Sequence, residues 1–305
     1  MQTIQQLIKE YGNDKSANTY QEIIKMLKNQ TTLWVACSAY TDNYFLAFEN
    51  DKPSAYIFSK KVFYSNFRDY LLQQFIPTEA KESTQADRMT MFGDIYRSGF
   101  EQIVIDNGQY YLKLNLFDII DKPDFSPVSE INTPIMNPSL MKAANNFFQH
   151  YGIKKATREM EYQLFTEIYR GKYLIPIDAS QLHTESKGRD SNECIIKESS
   201  AMSFPLIKNI SNQQFYPFFT DWIELRKFDK EHKYNGMIAS FDDMKYFISQ
   251  ADGITINPFG VNIIITAQMC KSIESVGKDI GVDIKGQIME NGTKKILGEQ
   301  KNYLQ

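Results

Sequence analysis

Apolar residues at Ile4, Leu7, Ile8 and Tyr11, and again at Tyr20, Ile23, Ile24 and Leu27, recur at i, i+3, i+4 and i+7. That spacing lines one face of a helix and predicts two helices at the start of the chain. Thr19 and Glu22 have capping-box spacing, which places the start of the second helix near residue 19. Runs at 33–37, 44–48 and 55–58, rich in aromatic and aliphatic residues, predict strands. Helical spacing returns over 62–75 and 84–97, with Met89, Phe92 and Tyr96 turned inward. Strands at 100–105 and 110–114 flank Asp106-Asn107-Gly108-Gln109, where Asn-Gly predicts a type I′ hairpin turn.

The second half opens with helices over 140–151 and 156–170, the latter closed by Gly171 as a left-handed C-terminal residue. Tyr173-Leu-Ile-Pro-Ile177 reads as a strand with Pro176 at an edge or bulge, and 180–192 as a polar loop. Strands follow at 193–198, 201–208 and 214–219. Asp221 with Glu224 and Ser240 with Asp243 open short helices over 221–228 and 241–249. Strands at 253–257 and 262–266 surround Asn257-Pro258-Phe259-Gly260, and a helix covers 267–276. Beyond it, 282–290 and 293–297 flank Asn291-Gly292, a further hairpin signal.

Pro123, Pro127, Pro134 and Pro138 interrupt any regular ladder, so 122–138 reads as an interdomain linker. On either side the features repeat in order: two helices, strands ending at Phe58-Ser59 or Phe219-Thr220, then helix and a closing hairpin at 103–108 or 254–260. This order predicts a diverged tandem duplication. Extra residues would lie near 77–85 in the first copy and near 180–200 in the second. The fold class is α+β, two units each with a mixed or antiparallel sheet packed with helices. The expected division is 1–121, the linker, 139–276, and a C-terminal hairpin extension over 277–305.

Composition changes little. Of 305 residues, 42% are hydrophobic and 13% aromatic, enough to build two cores. A formal net charge of -3 supplies no global field for phosphate backbones, which argues against nucleic acid as a partner. The N-terminus has neither basic start nor apolar core, and no apolar run reaches the roughly 20 residues of a membrane span. Cys37, Cys194 and Cys270 are odd in number and far apart, which suits a reducing cytoplasm and no disulfide framework.

Taken in order, Tyr173-Leu-Ile-Pro-Ile177, Phe204-Pro-Leu-Ile207, Pro217-Phe-Phe-Thr-Asp221 with Glu224-Leu225, and Gly253-Ile-Thr-Ile-Asn-Pro-Phe-Gly260 resemble the SseB family's N-terminal-type domain. The Asn-Pro-Phe-Gly turn is the most specific piece. The resemblance covers about 156–273; the first half has Trp34-Val35-Ala36 where the proline strand would stand and Asp106-Asn107-Gly108 in place of the proline turn. It implies Pro176, Phe219, Thr220, Gly253, Asn257, Pro258 and Gly260 as structural motif residues. It implies no enzymatic reaction and no cofactor.

The residues by themselves offer little chemistry. No G-x-S-x-G, H-E-x-x-H, P-loop or G-x-G-x-x-G pattern occurs. His183, Glu185, Asp190, Glu193 and Cys194 are the densest group of metal-capable residues, yet they lack ligand pairs and read as a solvated loop. His150 reads as a helix-end residue and His232 as a surface one. Asp242-Asp243 and Asp221/Glu224 read as helix caps before acid–base pairs, and Asp118 and Asp121 have no evident partner. Trp34, Trp222 and the run 214–219 read as core before contact surface.

The expectation is therefore a non-catalytic protein whose partner is another protein, engaged through aromatic and edge-strand surface, with no membrane partner. An immunity protein or adaptor for a bacterial toxin is one version of it. An enzyme or small-ligand binder with a pocket between the two units, using the 180–192 loop, is the competing reading, and the sequence names no ligand for it.

Overall fold

In the computed structural model, residues 2–123, 134–178, 184–186, 193–196, 203–280 and 295–297 are described. The first unit begins with α1 (Ile4–Asp14) and α2 (Ala17–Asn29). Thr3 and Gln6 form a reciprocal cap on α1, each side chain meeting the other's amide. The start of α2 is capped by Ser16, not by Thr19, whose hydroxyl donates to Asp14 Oδ2 at 3.0 Å. Ser16 already satisfies an orphan amide two residues into the helix, so helix forms ahead of the expected box.

Strands β1 (Thr32–Ser38), β2 (Ala47–Glu49) and β3 (Lys52–Phe58) follow, then α3 (Lys61–Leu72), β4 (Thr78–Thr84), α4 (Arg88–Arg97), β5 (Gln102–Ile105) and β6 (Leu112–Asn115). The sheet order is β4-β1-β3-β5-β6, with β2 paired to the start of β3. Only β3 and β5 run parallel; the other pairs are antiparallel. Side chains alternate across it. Leu33, Val35, Ala55, Ile57, Ile103 and Ile105 pack with α1, α2 and α4, while Ala36, Tyr56, Phe58 and Val104 pack with Tyr64, Phe67 and Leu71 of α3. Burial on both faces is why these strands read as unbroken apolar runs.

Further expectations fail in this unit, among them that Met89 turns inward, since it is exposed. Residues 77–85 are not an insertion: they carry β4, paired with β1 along its whole length from Thr32↔Thr84 to Ser38↔Thr78. Its sequence, Thr-Glu-Ala-Lys-Glu-Ser-Thr, hides the strand because an edge exposed to water is populated by charge. The helix expected from 84 starts at Arg88, whose buried guanidinium donates to Leu27 O, Gln30 O and Ser83 O and ties the end of α2 to β4. The β5–β6 connection is not a two-residue type I′ turn. Ile105 pairs with Leu112, and positive φ falls on Asp106 and Gly108 rather than on Asn107 and Gly108.

The second unit takes α5 (Pro138–Gly152) up to residue 144, then α6 (Arg158–Arg170), β7 (Tyr173–Ile177), β8 (Thr184–Ser186), β9 (Glu193–Ile196), β10 (Ile207–Lys208) and β11 (Gln214–Phe218). It continues with α7 (Trp222–Phe228), β12 (Asn235–Ala239), α8 (Phe241–Ile248), β13 (Gly253–Ile256), β14 (Ile263–Ile265), α9 (Ala267–Asp279) and β15 (Lys295–Leu297). Residues 145–157 group with the first unit, where Asn145 and Gln149 hold the main chain of Tyr44 and Leu46. The expected linker lies mostly outside the described residues.

One sheet runs β10-β11-β13-β14, and another β7-β12-β15-β9-β8. A single antiparallel bridge, Leu174↔Phe219, links β7 to the end of β11. The next pair in that register would be Pro176 with Pro217, and neither has an N–H, so the ladder stops. Part of the expected polar loop, 184–186, is strand β8 against β9. Among the described residues of the strand expected over 201–208, only the Ser203 bridge to Asp178 and β10 at Ile207–Lys208 pair. Of the expected C-terminal hairpin only β15 is described; it lies between β12 and β9 and extends the second unit's sheet.

Pairing in the two units follows one order. The antiparallel pairs β1–β4, β1–β3, β2–β3 and β5–β6 have counterparts in β7–β12, the β7–β11 bridge, β10–β11 and β13–β14. The parallel pair β3–β5 has its counterpart in β11–β13.

Candidate functional site

Within each unit the ends of the two parallel strands are locked by one buried side chain. In the first, Asp106 follows β5 in the left-handed region at φ 54°, and its main-chain N–H donates to Ile57 O. Its carboxylate accepts from Ser59 N (2.7 Å), Ser59 Oγ (2.7 Å) and Gln5 Nε2 (2.5 Å). Burial nonetheless raises its pKa above the ordinary aspartate range, with the three hydrogen bonds pulling the other way.

In the second unit Asn257 follows β13 at φ 51°, and its N–H donates to Phe218 O. Its Oδ1 accepts from Thr220 N at 3.0 Å and its Nδ2 donates to Thr220 Oγ1 at 2.8 Å. The asparagine thus bonds across to the neighbouring strand, not to its own turn. Met141 Sδ lies 3.3 Å from the same Nδ2, and Asn137 Nδ2 donates to Thr220 O at 2.8 Å. Asp and Asn here do the same geometrical work, one charged and one neutral.

The other motif residues spread out from that lock. Phe219 is buried one residue before Thr220 and faces Phe228. Gly253 begins β13 at its far end, where a Cβ would meet Ile265 O at 2.6 Å. Pro176 lies on β7 opposite Gly236. Gly260 is not needed for a positive φ: a Cβ there would come within 2.8 Å of Glu224 Oε2, so glycine leaves room for the α7 carboxylate against the turn. Gly171 likewise is not in the left-handed region; a Cβ on it would strike the Tyr173 hydroxyl and the ring carbon that bears it.

Helix α7 is capped by Asp221, which accepts from Glu224 N at 2.9 Å. Asp229, also buried, accepts from Lys233 N, Tyr234 N and Arg226 NH1 at 2.8–2.9 Å. These carboxylates shape the helix ends. Around them lies an aromatic surface that sequence reasoning missed. Phe228 stacks on Tyr234 at 5.6 Å and on Phe259 at 6.2 Å, and Arg226 covers the Trp222 ring at 5.1 Å. Phe259, inside the Asn-Pro-Phe-Gly turn, is 54% exposed. A large aromatic at the tip of a turn made of structure-specifying residues is the signal that could have found it.

The remaining chemical candidates scatter. Cys37 is packed in the sheet and burial pushes its thiol up to about 11; burial raises Cys270 too. His150 Nδ1 is 2.8 Å from Asn146 O on its own helix, and His232 is exposed. Asp243 bonds Ser240 N at 2.9 Å as a cap, Asp242 pairs with Lys245, and Asp118 accepts from Tyr20 OH at 2.6 Å. His183 and Asp190 lie outside the described residues, and Glu185, Glu193 and Cys194 are described as main chain in β8 and β9. Among the described residues no three His, Cys, Asp or Glu gather as metal ligands would. No helix among them is long and apolar enough to cross a membrane.

No curated protein matches the chain. Among solved structures, Tic22 from Plasmodium falciparum is similar over 85% of this chain and 98% of its own at 11% identity, but its TM-score of 0.19 carries no argument. Residues 153–269 span α6 to the start of α9, with both the Asn257 lock and the α7 surface inside, and they match the model of the SseB protein N-terminal domain family.

Proposed function

We propose that the protein is a non-catalytic, cytoplasmic interaction module, two copies of one SseB-like scaffold, which recognises another protein through the aromatic surface of α7 and the 257–260 turn. The observation that carries this reading is the stack of Phe259, Phe228 and Tyr234 with Phe259 54% exposed, beside the Arg226–Trp222 pair. Aromatic side chains dominate binding hot spots because they bring large area at low entropic cost, and arginine joins them through its planar fork of donors and its stacking on rings. The duplication is supported by the shared strand pairing and by Asp106 and Asn257 standing at matching strand ends. The non-catalytic reading is supported by the raised Cys37 thiol and by carboxylates spent on helix caps.

Affinity capture with the full chain and with Phe259→Ala tests the recognition surface. The expected result is a stoichiometric partner held by the wild type and lost from the variant, with melting behaviour unchanged. A partner held equally by both sinks the reading. So does a metabolite that raises the melting temperature by several degrees, since it reveals a ligand site.

A further inference from the structure

The two units present the same edge strand in different chemistry. Matching Asp106 to Asn257 aligns Ile105, Val104 and Ile103 of β5 with Ile256, Thr255 and Ile254 of β13. Their antiparallel partners then align as well: Leu112, Lys113 and Leu114 of β6 with Ile263, Ile264 and Ile265 of β14. Lys113 therefore corresponds to Ile264. Lys113 is paired with Glu49 at 2.6 Å, and a charged lysine on an edge discourages a further strand from joining. Ile264 is 41% exposed and carries no such guard.

The main chain of β14 is oriented for pairing. Asn257 N–H donates to Phe218 O on β11. By alternation, Ile254 and Ile256 turn their main-chain groups toward β14, where Ile265 and Ile263 answer them. The N–H and C=O of Ile264 point to the outer side. Among the described residues no strand pairs there.

We propose that the chain self-associates through β14, with Ile264 opposite its own copy in a two-fold antiparallel pair that joins two β10-β11-β13-β14 sheets. Charge selects this occupant. A two-fold pairing about Ile264 sets that residue against its own copy and brings its near neighbours close to theirs, so a charged side chain at or beside the axis would lie against its like. From Gly253 to Cys270 there is no charged side chain, in a protein of which 23% is charged. At the corresponding place in the first unit Lys113 would repel itself. The proposal stands apart from recognition of a different protein, and the failure of either test leaves the other standing.

Sedimentation velocity of the full chain from about 1 to 500 µM tests it. The wild type is expected to dimerise with a dissociation constant of roughly 10–100 µM, as a small interface gives. Ile264→Lys is expected to weaken dimerisation at least tenfold without changing the circular dichroism, and Ile264→Thr, which keeps strand preference, to weaken it less. Mixing Ile264→Lys with Ile264→Glu is expected to restore a dimer of one of each. A wild type that stays monomeric throughout overturns the proposal, even if it takes up a strand from another protein. So does an Ile264→Lys chain that dimerises like wild type, or a mixture that associates no better than either variant alone.

Discussion

Asp106 and Asn257 solve one geometrical problem with different charge. Both take the left-handed conformation and reach across to a hydroxyl residue just beyond the end of the neighbouring strand. Because burial raises the Asp106 pKa in the folded state, its contribution to stability is fully present below the ordinary aspartate value of about 3.9 and is lost as pH rises through the folded-state value. Asp106→Asn, with the Gln5 amide turned to accept, is expected to be more stable than wild type in urea at pH 7. The two chains should converge as pH falls toward the ordinary aspartate range; urea melts across that range check both. Phe75 is a second residue at odds with folding. Phe75 N–H donates to Leu72 O and Ile76 N–H to Leu71 O, a Schellman closure of α3 with Phe75 in the left-handed place that glycine normally fills. It is 82% exposed. Phe75→Gly relieves the Cβ clash and loses little burial, so thermal melts should show a gain of about 1 kcal/mol.

At the scale of elements, the legible parts were those whose signal is local. The Asp221 and Ser240 helix starts needed only residues three apart, and α1, α2, α6 and α8 needed only an apolar stripe. The α2 start slipped because two good caps, Ser16 and Thr19, compete within four residues. Strand β4 was illegible because its partner β1 is over forty residues away and its own side chains face water. The same distance hid the reason for Gly260, which is the nearness of α7. Gly260→Ala should force the turn away from Glu224 Oε2 and cost about 1–3 kcal/mol in chemical denaturation. Ala at Gly108, where a Cβ meets nothing but φ is +87°, should cost about 1 kcal/mol from the backbone alone. The contrast between those two measurements separates close approach from turn conformation.

Across the whole molecule, burial decides which groups can react. Half-buried Cys37, its thiol pushed up to about 11, stays overwhelmingly protonated near neutral pH, and Cys270 is buried with its thiol raised too. In a Cys194→Ser background the native chain should titrate slowly with a thiol reagent and release both thiols only in denaturant; rapid native reaction would mean that the β1 and α9 cores open. The sequence alone determined the α+β class, the SseB resemblance of the second half and the helix caps, because periodicity, turn chemistry and capping act over a few residues. Tertiary structure alone decided that β4 is a strand, that Asp106 and Asn257 occupy one role, and that Phe259 and Ile264 face solvent. Those outcomes depend on which distant strands lie side by side, and a one-dimensional pattern holds no record of that until the chain has closed its sheets.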